Sequence, residues 1–165
     1  MSKNLRINKN KFIDQTARIS FKFNGKKLYG YKGDTLASAL LANNIHLVGR
    51  SFKYHRPRGI YTCGIEEPNA LVQILNEHNE PNTRATEKKA YDGINISSQN
   101  RWPSLSFDIG SINNILSPIF SAGFYYKTFM GPKGFWKKIY DPLIRRTAGL
   151  GKPPKNFRSK SIHQN

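Results

Sequence analysis

The alternation of apolar and polar residues near the start of the chain predicts a β-hairpin. In residues 18–23 every second position is apolar, which is typical of a strand with one buried face. The dipeptide Asn24-Gly25 follows, and it favours a type I′ turn because that turn needs positive φ at both central residues. We therefore expect a return strand over residues 26–31, with the chain turning away at Gly33.

A short amphipathic helix is predicted directly after this hairpin. Asp34 or Thr35 can cap its first turn, and apolar residues then recur at helical spacing. Asn43 and Asn44 suit its C-terminal end, where a left-handed backbone conformation is common.

Three short apolar segments beyond the helix predict further strands, at residues 45–48, 70–75 and 94–97. The second has Gln73 as its only polar residue, so we expect it to be buried on both faces. The polar segment 77–89 predicts a solvent-exposed loop that leads into an edge strand. This order of elements predicts an α+β chain with a β-grasp core over residues 16–100.

Beyond residue 101 the pattern becomes helical and aromatic. Apolar residues at 112, 115, 116 and 119 share one helical face, with Ser111 as a possible cap and Pro118 as a residue that shortens or kinks the helix. A second helix is predicted over residues 134–147. We expect residues 101–150 to form a helical extension that packs on the β-grasp domain or on partner subunits. The two ends of the chain are predicted to be a basic tail over residues 1–15 and a linker over residues 151–165.

Composition adds a strong positive charge to this picture. The 165 residues hold 27 Lys and Arg against 10 Asp and Glu, and the excess lies at the two ends of the chain. Such a balance favours acidic partners, phosphate-bearing ligands or nucleic acid. The chain shows no secretory signal, and no apolar run reaches the roughly 18–20 residues that a membrane span needs. We therefore expect a cytoplasmic protein with no membrane partner.

The most concentrated chemical feature lies in the irregular segment 49–69. Loops of this length inside compact domains usually have a function. Arginine can hold phosphate or carboxylate through two parallel hydrogen bonds, and the aromatic residues between the cations can stack on a ring. Three interpretations stay open: a solvated basic loop, a site for a phosphate ligand or subunit contact, and a nucleic-acid surface. The candidate residues for cofactor binding or subunit docking are Arg50, Lys53, Arg56 and Arg58.

No residue pattern indicates catalysis or a metal site. The four histidines are scattered, and Glu66 and Glu67 are neighbours that point to opposite sides of an extended segment. Cys63 is the single cysteine, which excludes an internal disulfide and any iron–sulfur site built only from this chain's thiolates. We therefore predict neither catalytic nor metal-ligating residues.

Several long strings of residues resemble one family. RSFKYHRPRG at 50–59, followed by CGIEEPNALV at 63–72, is similar to the N-terminal domain of heterotetrameric sarcosine oxidase alpha subunits. The resemblance continues through four further strings: YDG at 91–93, WPSLSFD at 102–108, AGFYYKTFM at 122–130 and IRRTAGLG at 144–151.

This resemblance implies a [2Fe–2S] ferredoxin-like domain that has lost its cluster. Cluster-binding relatives continue from PRG into a C-x4-C-x2-C motif. Aligned with that motif, Cys63 stands at the first cysteine, Pro68 at the second and Leu71 at the third. Neither proline nor leucine can bind iron, so the resemblance predicts the fold without the cluster.

The resemblance also implies partners and cofactors for a larger complex. We expect the remaining domains of an alpha subunit and a flavin-bearing beta subunit as partners, and the chain itself as a piece of that longer subunit. The full complex would use NAD, FAD, FMN and tetrahydrofolate, with none of them bound by this chain alone. The chain would then be a non-catalytic module that supports oxidative demethylation of sarcosine or a related secondary amine. A basic nucleic-acid-binding protein is the alternative.

Overall fold

The computed structural model describes residue 6 and residues 12–76, 79–117 and 138. Within these residues, strands β1 (Asp14–Phe23) and β2 (Lys26–Lys32) form the predicted antiparallel hairpin. Asn24 and Gly25 both have positive φ, of 50° and 81°, as the predicted turn requires. β1 begins at Asp14, so the strand reaches into the segment that was predicted as a tail.

Helix α1 (Leu36–Ala42) follows the hairpin, as predicted. Thr35 is its N-cap, because the Thr35 hydroxyl accepts a hydrogen bond from the Ser38 amide at 3.2 Å. Asn43 is the C-cap of the helix, and Asn44 takes the left-handed conformation with φ of 60°.

The predicted strand at residues 45–48 is wrong. The amide of Ile45 donates to the Leu40 carbonyl and so continues the end of α1. Strand pairing starts later, where β3 (Gly49–Arg50) pairs with β4 (Pro57–Arg58) in a small antiparallel sheet.

The main sheet has five strands in the order β2-β1-β7-β5-β6. β1 and β7 are parallel, and the other neighbours are antiparallel. The three strands added here are β5 (Leu71–Ile74), β6 (Thr83–Arg84) and β7 (Asn95–Ser98). β6 is an edge strand, but it lies inside the segment 77–89 that was predicted as a loop, and β7, which follows that segment, is a central strand. The prediction that the strand at 70–75 is buried on both faces is wrong. In β5, Val72 and Ile74 are buried on one face, whereas Leu71 and Gln73 on the other face are partly exposed.

Apolar side chains of the hairpin, α1, β5 and β7 form one core. It includes Phe21 from β1, Leu36 and Leu40 from α1, and Ile96 from β7, none of them more than 1% exposed. A mixed sheet with one helix packed on it is the predicted α+β class. Among the residues that the structure describes, no helix is long and apolar enough to cross a bilayer.

The helical extension is described only as far as residue 117. A 3-10 turn (Ile109–Ser111) leads into α2 (Ile112–Ile115), which is a single turn. Ser111 stands at the predicted N-cap of α2, but its side chain makes no capping hydrogen bond. Ile119, the second predicted helix at 134–147 apart from Lys138, and the predicted linker lie outside the described residues.

Candidate docking loop

Residues 50–58, called here the basic loop, form a tight connection between β3 and β4. The Ser51 amide donates to the Arg56 carbonyl at 2.9 Å, and the His55 amide donates to the Ser51 carbonyl at 3.0 Å. The Ser51 hydroxyl accepts a further hydrogen bond from the Arg56 amide at 2.9 Å. His55 has a positive φ of 52°, which closes the turn and directs the loop against residues 101–117.

Arg50 is used inside the molecule. Its guanidinium donates to the Leu105 carbonyl at 3.0 and 2.8 Å and to the His55 carbonyl at 2.8 Å. The same group lies 3.5 Å from the Asp108 carboxylate, and the Arg50 side chain is only 9% exposed. Arg50 therefore attaches the start of the extension to the basic loop.

Asp108 is the buried anion that receives these contacts. Its side chain is fully buried, and it pairs with His55 Nδ1 at 2.7 Å. Burial raises the pKa of the Asp108 carboxyl, but hydrogen bonds from the Trp102 amide, His55 and the Gly110 amide outweigh it and hold this pKa below its ordinary value. The carboxylate therefore stays charged at neutral pH opposite Arg50.

Lys53 and Arg56 gather around the Tyr54 ring. The Lys53 ammonium lies 4.9 Å and the Arg56 guanidinium 4.8 Å from the ring centroid, both within cation–π range. Arg56 also donates to Asn114 Oδ1 at 2.8 Å, and Asn113 donates to the Lys53 carbonyl at 3.3 Å. The basic loop and α2 are thus joined by polar contacts.

Arg58 lies on the other side of the loop, beside a recess of about 230 Å³. It is exposed and donates to Asn69 Oδ1 at 2.7 Å. The recess is lined by cationic, amide and apolar side chains, among them Arg50, Phe52, Arg58, Asn69, Leu71 and Gln99. Guanidinium and amide donors beside apolar surface suit a carboxylate-bearing side chain or ligand.

The structure thus brings the four predicted residues into two settings. Arg50 is a buried structural contact, whereas the exposed Arg56 and Arg58 side chains donate hydrogen bonds to neutral amide oxygens. Lys53 lies between these extremes, half-buried against Tyr54.

The segment between β4 and β5 folds around a second buried anion, Glu67, which is 1% exposed. Glu67 Oε2 accepts hydrogen bonds from the amides of Tyr61 and Thr62 at 2.7 and 2.6 Å. Its Oε1 accepts from the amides of Asn69 and Ala70 at 2.8 and 3.2 Å. Burial raises the pKa of the Glu67 carboxyl, but these four N–H donors prevail and lower it.

The donors in this segment do not fit an iron–sulfur cluster. Cys63 is exposed, and residues Pro68 and Leu71 carry no atom that binds iron. Across the part of the chain that the structure describes, no three His, Cys, Asp or Glu side chains are grouped closely enough to hold a metal ion.

Two buried carboxylates that shape this region were not singled out from the sequence. Asp108 ends the WPSLSFD string, but nothing in its local pattern indicates that it meets a loop fifty residues earlier. Glu67 was considered only as half of a carboxylate pair. Glu66 is exposed while Glu67 is buried, and residues 65–66 form a turn where an extended segment was predicted.

Comparison with known proteins defines the class of this domain. Residues 16–101 match the family described as "2Fe-2S iron-sulfur cluster binding domain". The chain therefore belongs to this family, and its α+β ferredoxin-like fold is confirmed.

Three relatives are alpha subunits of one enzyme. The chain is 60% identical over 148 residues to the sarcosine oxidase subunit alpha of Rhizobium meliloti (strain 1021), a match that covers 89% of this chain and 15% of that subunit. The subunit of the same name from Corynebacterium sp. (strain U-96) is 39% identical over 87 residues, with 50% and 9% covered. That of Corynebacterium sp. (strain P-1) is 44% identical over 68 residues, with 41% and 7% covered. The chain thus corresponds to less than a sixth of these relatives.

A solved structure is also similar. The crystal structure of L-proline dehydrogenase from P. horikoshii matches with 30% identity and a TM-score of 0.44, covering 52% of this chain and 16% of that one.

Proposed function

We propose that this chain acts as a non-catalytic module of a sarcosine oxidase-like complex. The observation that carries the proposal is the 60% identity with a sarcosine oxidase alpha subunit, which extends over 148 residues. A match over 89% of this chain is long enough to include most of the sequence beyond the ferredoxin-like domain as well as the domain itself.

The module's role in this proposal is assembly. Oxidative demethylation of sarcosine or a related secondary amine would take place elsewhere in the complex, where NAD, FAD, FMN and tetrahydrofolate would bind. This chain would contribute surfaces that meet the rest of an alpha subunit and a flavin-bearing beta subunit.

Two neighbouring features of the surface support a docking role. Arg58 exposes its cation at the recess, and Arg56 exposes another on the side of the loop that faces α2, so a carboxylate of a partner would find guanidinium donors at both places. The extension exposes large apolar side chains, of which Trp102, Phe107 and Ile115 are each more than 60% exposed. Large apolar patches on a protein surface are typical of sites that a partner covers.

A domain exchange tests the proposal. The matched region of the Rhizobium meliloti alpha subunit is replaced by this chain, and the chimera is produced with its partner subunits. We expect the chimera to assemble and to oxidise sarcosine, with the unmodified subunit as the reference. A chimera that is folded by circular dichroism but remains unassembled would contradict the proposal.

A further inference from the structure

The chain keeps the fold of a cluster-binding family while its donors cannot hold a cluster. The three positions aligned with cluster cysteines, at Cys63, Pro68 and Leu71, surround Glu67 in the sequence. The same segment is nevertheless ordered into a compact loop between β4 and β5, so something other than metal ligation must hold it.

An iron–sulfur cluster held by thiolates is an anionic group whose sulfur atoms accept hydrogen bonds from the surrounding protein. A carboxylate is also an anion, and its two oxygens together offer about four acceptor positions. In this chain those positions are taken by the amides of Tyr61, Thr62, Asn69 and Ala70, at 2.6–3.2 Å. The donors come from both ends of the segment, so a single anion ties its two ends together.

We propose that the Glu67 carboxylate takes the organising role that a cluster has in a metal-binding loop, so that this segment folds without iron and does not accept it. Glu67 is a positioning residue in this proposal, and the inference is independent of assembly into an oxidase. The negative charge of Glu67 is stabilised inside the protein because four backbone N–H groups and one hydroxyl donate hydrogen bonds to its oxygens. The hydroxyl is that of Thr62, 3.3 Å from Oε2.

The test compares amide hydrogen exchange in Glu67→Gln and Glu66→Gln variants of the full chain. Each carboxylate oxygen of Glu67 accepts from two backbone amides. In either orientation of its amide, a glutamine at 67 therefore places an NH2 donor where two N–H groups need an acceptor. We expect exchange at the amides of Tyr61, Thr62, Asn69 and Ala70 to accelerate by about tenfold or more. Glu66 is exposed, so its variant should exchange like the wild type.

Metal content provides a second readout. Wild-type chain is incubated anaerobically with ferrous iron, sulfide and a thiol reductant, and bound iron is assayed after desalting. We expect no stoichiometric iron, and we expect Cys63→Ser to leave exchange at the four amides unchanged.

Three results would overturn the inference: two irons retained per wild-type chain, equal exchange in the two glutamine variants, or loss of protection in Cys63→Ser. If Glu67→Gln does not fold, the iron-free wild type decides the question. The four amides must then be protected without metal, and exchange at the rate of an unstructured chain would disprove the proposal.

Discussion

Three buried carboxylates organise this chain, and two of them, Asp34 and Asp108, join segments that lie far apart in sequence. Asp34 accepts two hydrogen bonds from Arg6, at 2.9 and 2.6 Å, and so holds a residue that precedes β1. Glu67 closes the segment between β4 and β5, and Asp108 attaches the extension to the basic loop. Each anion is surrounded by donors, which is the condition under which a buried charge does not destabilise the fold.

These carboxylates make stability sensitive to acid. Burial raises the pKa of each, but hydrogen bonds outweigh it, so each folded-state pKa lies below its ordinary value of 3.8 for Asp34 and Asp108 and 4.5 for Glu67. The unfolded chain then binds protons more readily than the folded chain below about pH 4.5. The stabilisation is fully present above that pH and is lost as the pH falls through the folded-state values.

We therefore expect the urea midpoint of the chain to be nearly constant from neutral pH to about pH 5 and to fall steadily below it. The measurement is urea denaturation followed by circular dichroism at a series of pH values. The Glu67→Gln variant should show a shallower decline, because one of the buried carboxyl groups that titrate there is gone. A midpoint that stays level or rises below pH 4.5 would contradict the expectation.

At the scale of elements, the contact between the basic loop and the extension depends on a glycine. Gly110 lies in the 3-10 turn directly against the His55 ring, and a Cβ at this position would collide with that ring. The ring cannot move aside freely because His55 Nδ1 is bonded to Asp108. A side chain at 110 must therefore displace the His55–Asp108 pair.

We expect Gly110→Ala to destabilise the chain by roughly 1–3 kcal/mol, the usual cost of an added group in a packed site. In a His55→Ala background the same change should cost much less, since the colliding ring is absent. Gly49→Ala is the matched control, because its Cβ would meet neighbours only at 3.7 Å. The free energy of unfolding is measured by urea denaturation for wild type, Gly110→Ala, His55→Ala, the double variant and Gly49→Ala. If Gly110→Ala lowers this free energy equally with and without the His55 ring, the ring and the glycine do not interact.

Local sequence pattern was sufficient for the elements whose contacts are local. The hairpin and α1 were predicted because the turn residues Asn24 and Gly25 and the cap Thr35 act on their immediate neighbours. The strand at 45–48 was placed too early because the hydrogen bond from Ile45 to α1 cannot be read from apolar residues. Asp108 was missed for a related reason, since its partners Arg50 and His55 are more than fifty residues away.

At the scale of the whole molecule, the positive charge is only partly neutralised by internal contacts. Arg50 and Arg6 face buried carboxylates, whereas Arg58 exposes its cation at the recess and Arg56 exposes its cation beside α2. The net charge of +17 belongs to a chain that matches a small part of much longer subunits. The exposed cations on the basic loop are therefore among those that a partner's carboxylates can reach.

We predict that Arg56→Glu combined with Arg58→Glu weakens assembly of the chimeric alpha subunit by about 2–5 kcal/mol, the range for breaking desolvated charge contacts at an interface. The fold of the chain itself should persist, because the two guanidinium groups make hydrogen bonds to exposed or half-buried amide oxygens of Asn114 and Asn69 and a surface contact with the Tyr54 ring. Binding of the chimera to its partner subunits is measured by calorimetry. Reversal of two exposed hairpin lysines, Lys22→Glu with Lys26→Glu, controls for net charge. If the arginine variant assembles and oxidises sarcosine like the unmodified chimera, the basic loop is only a solvated surface and the docking site lies elsewhere.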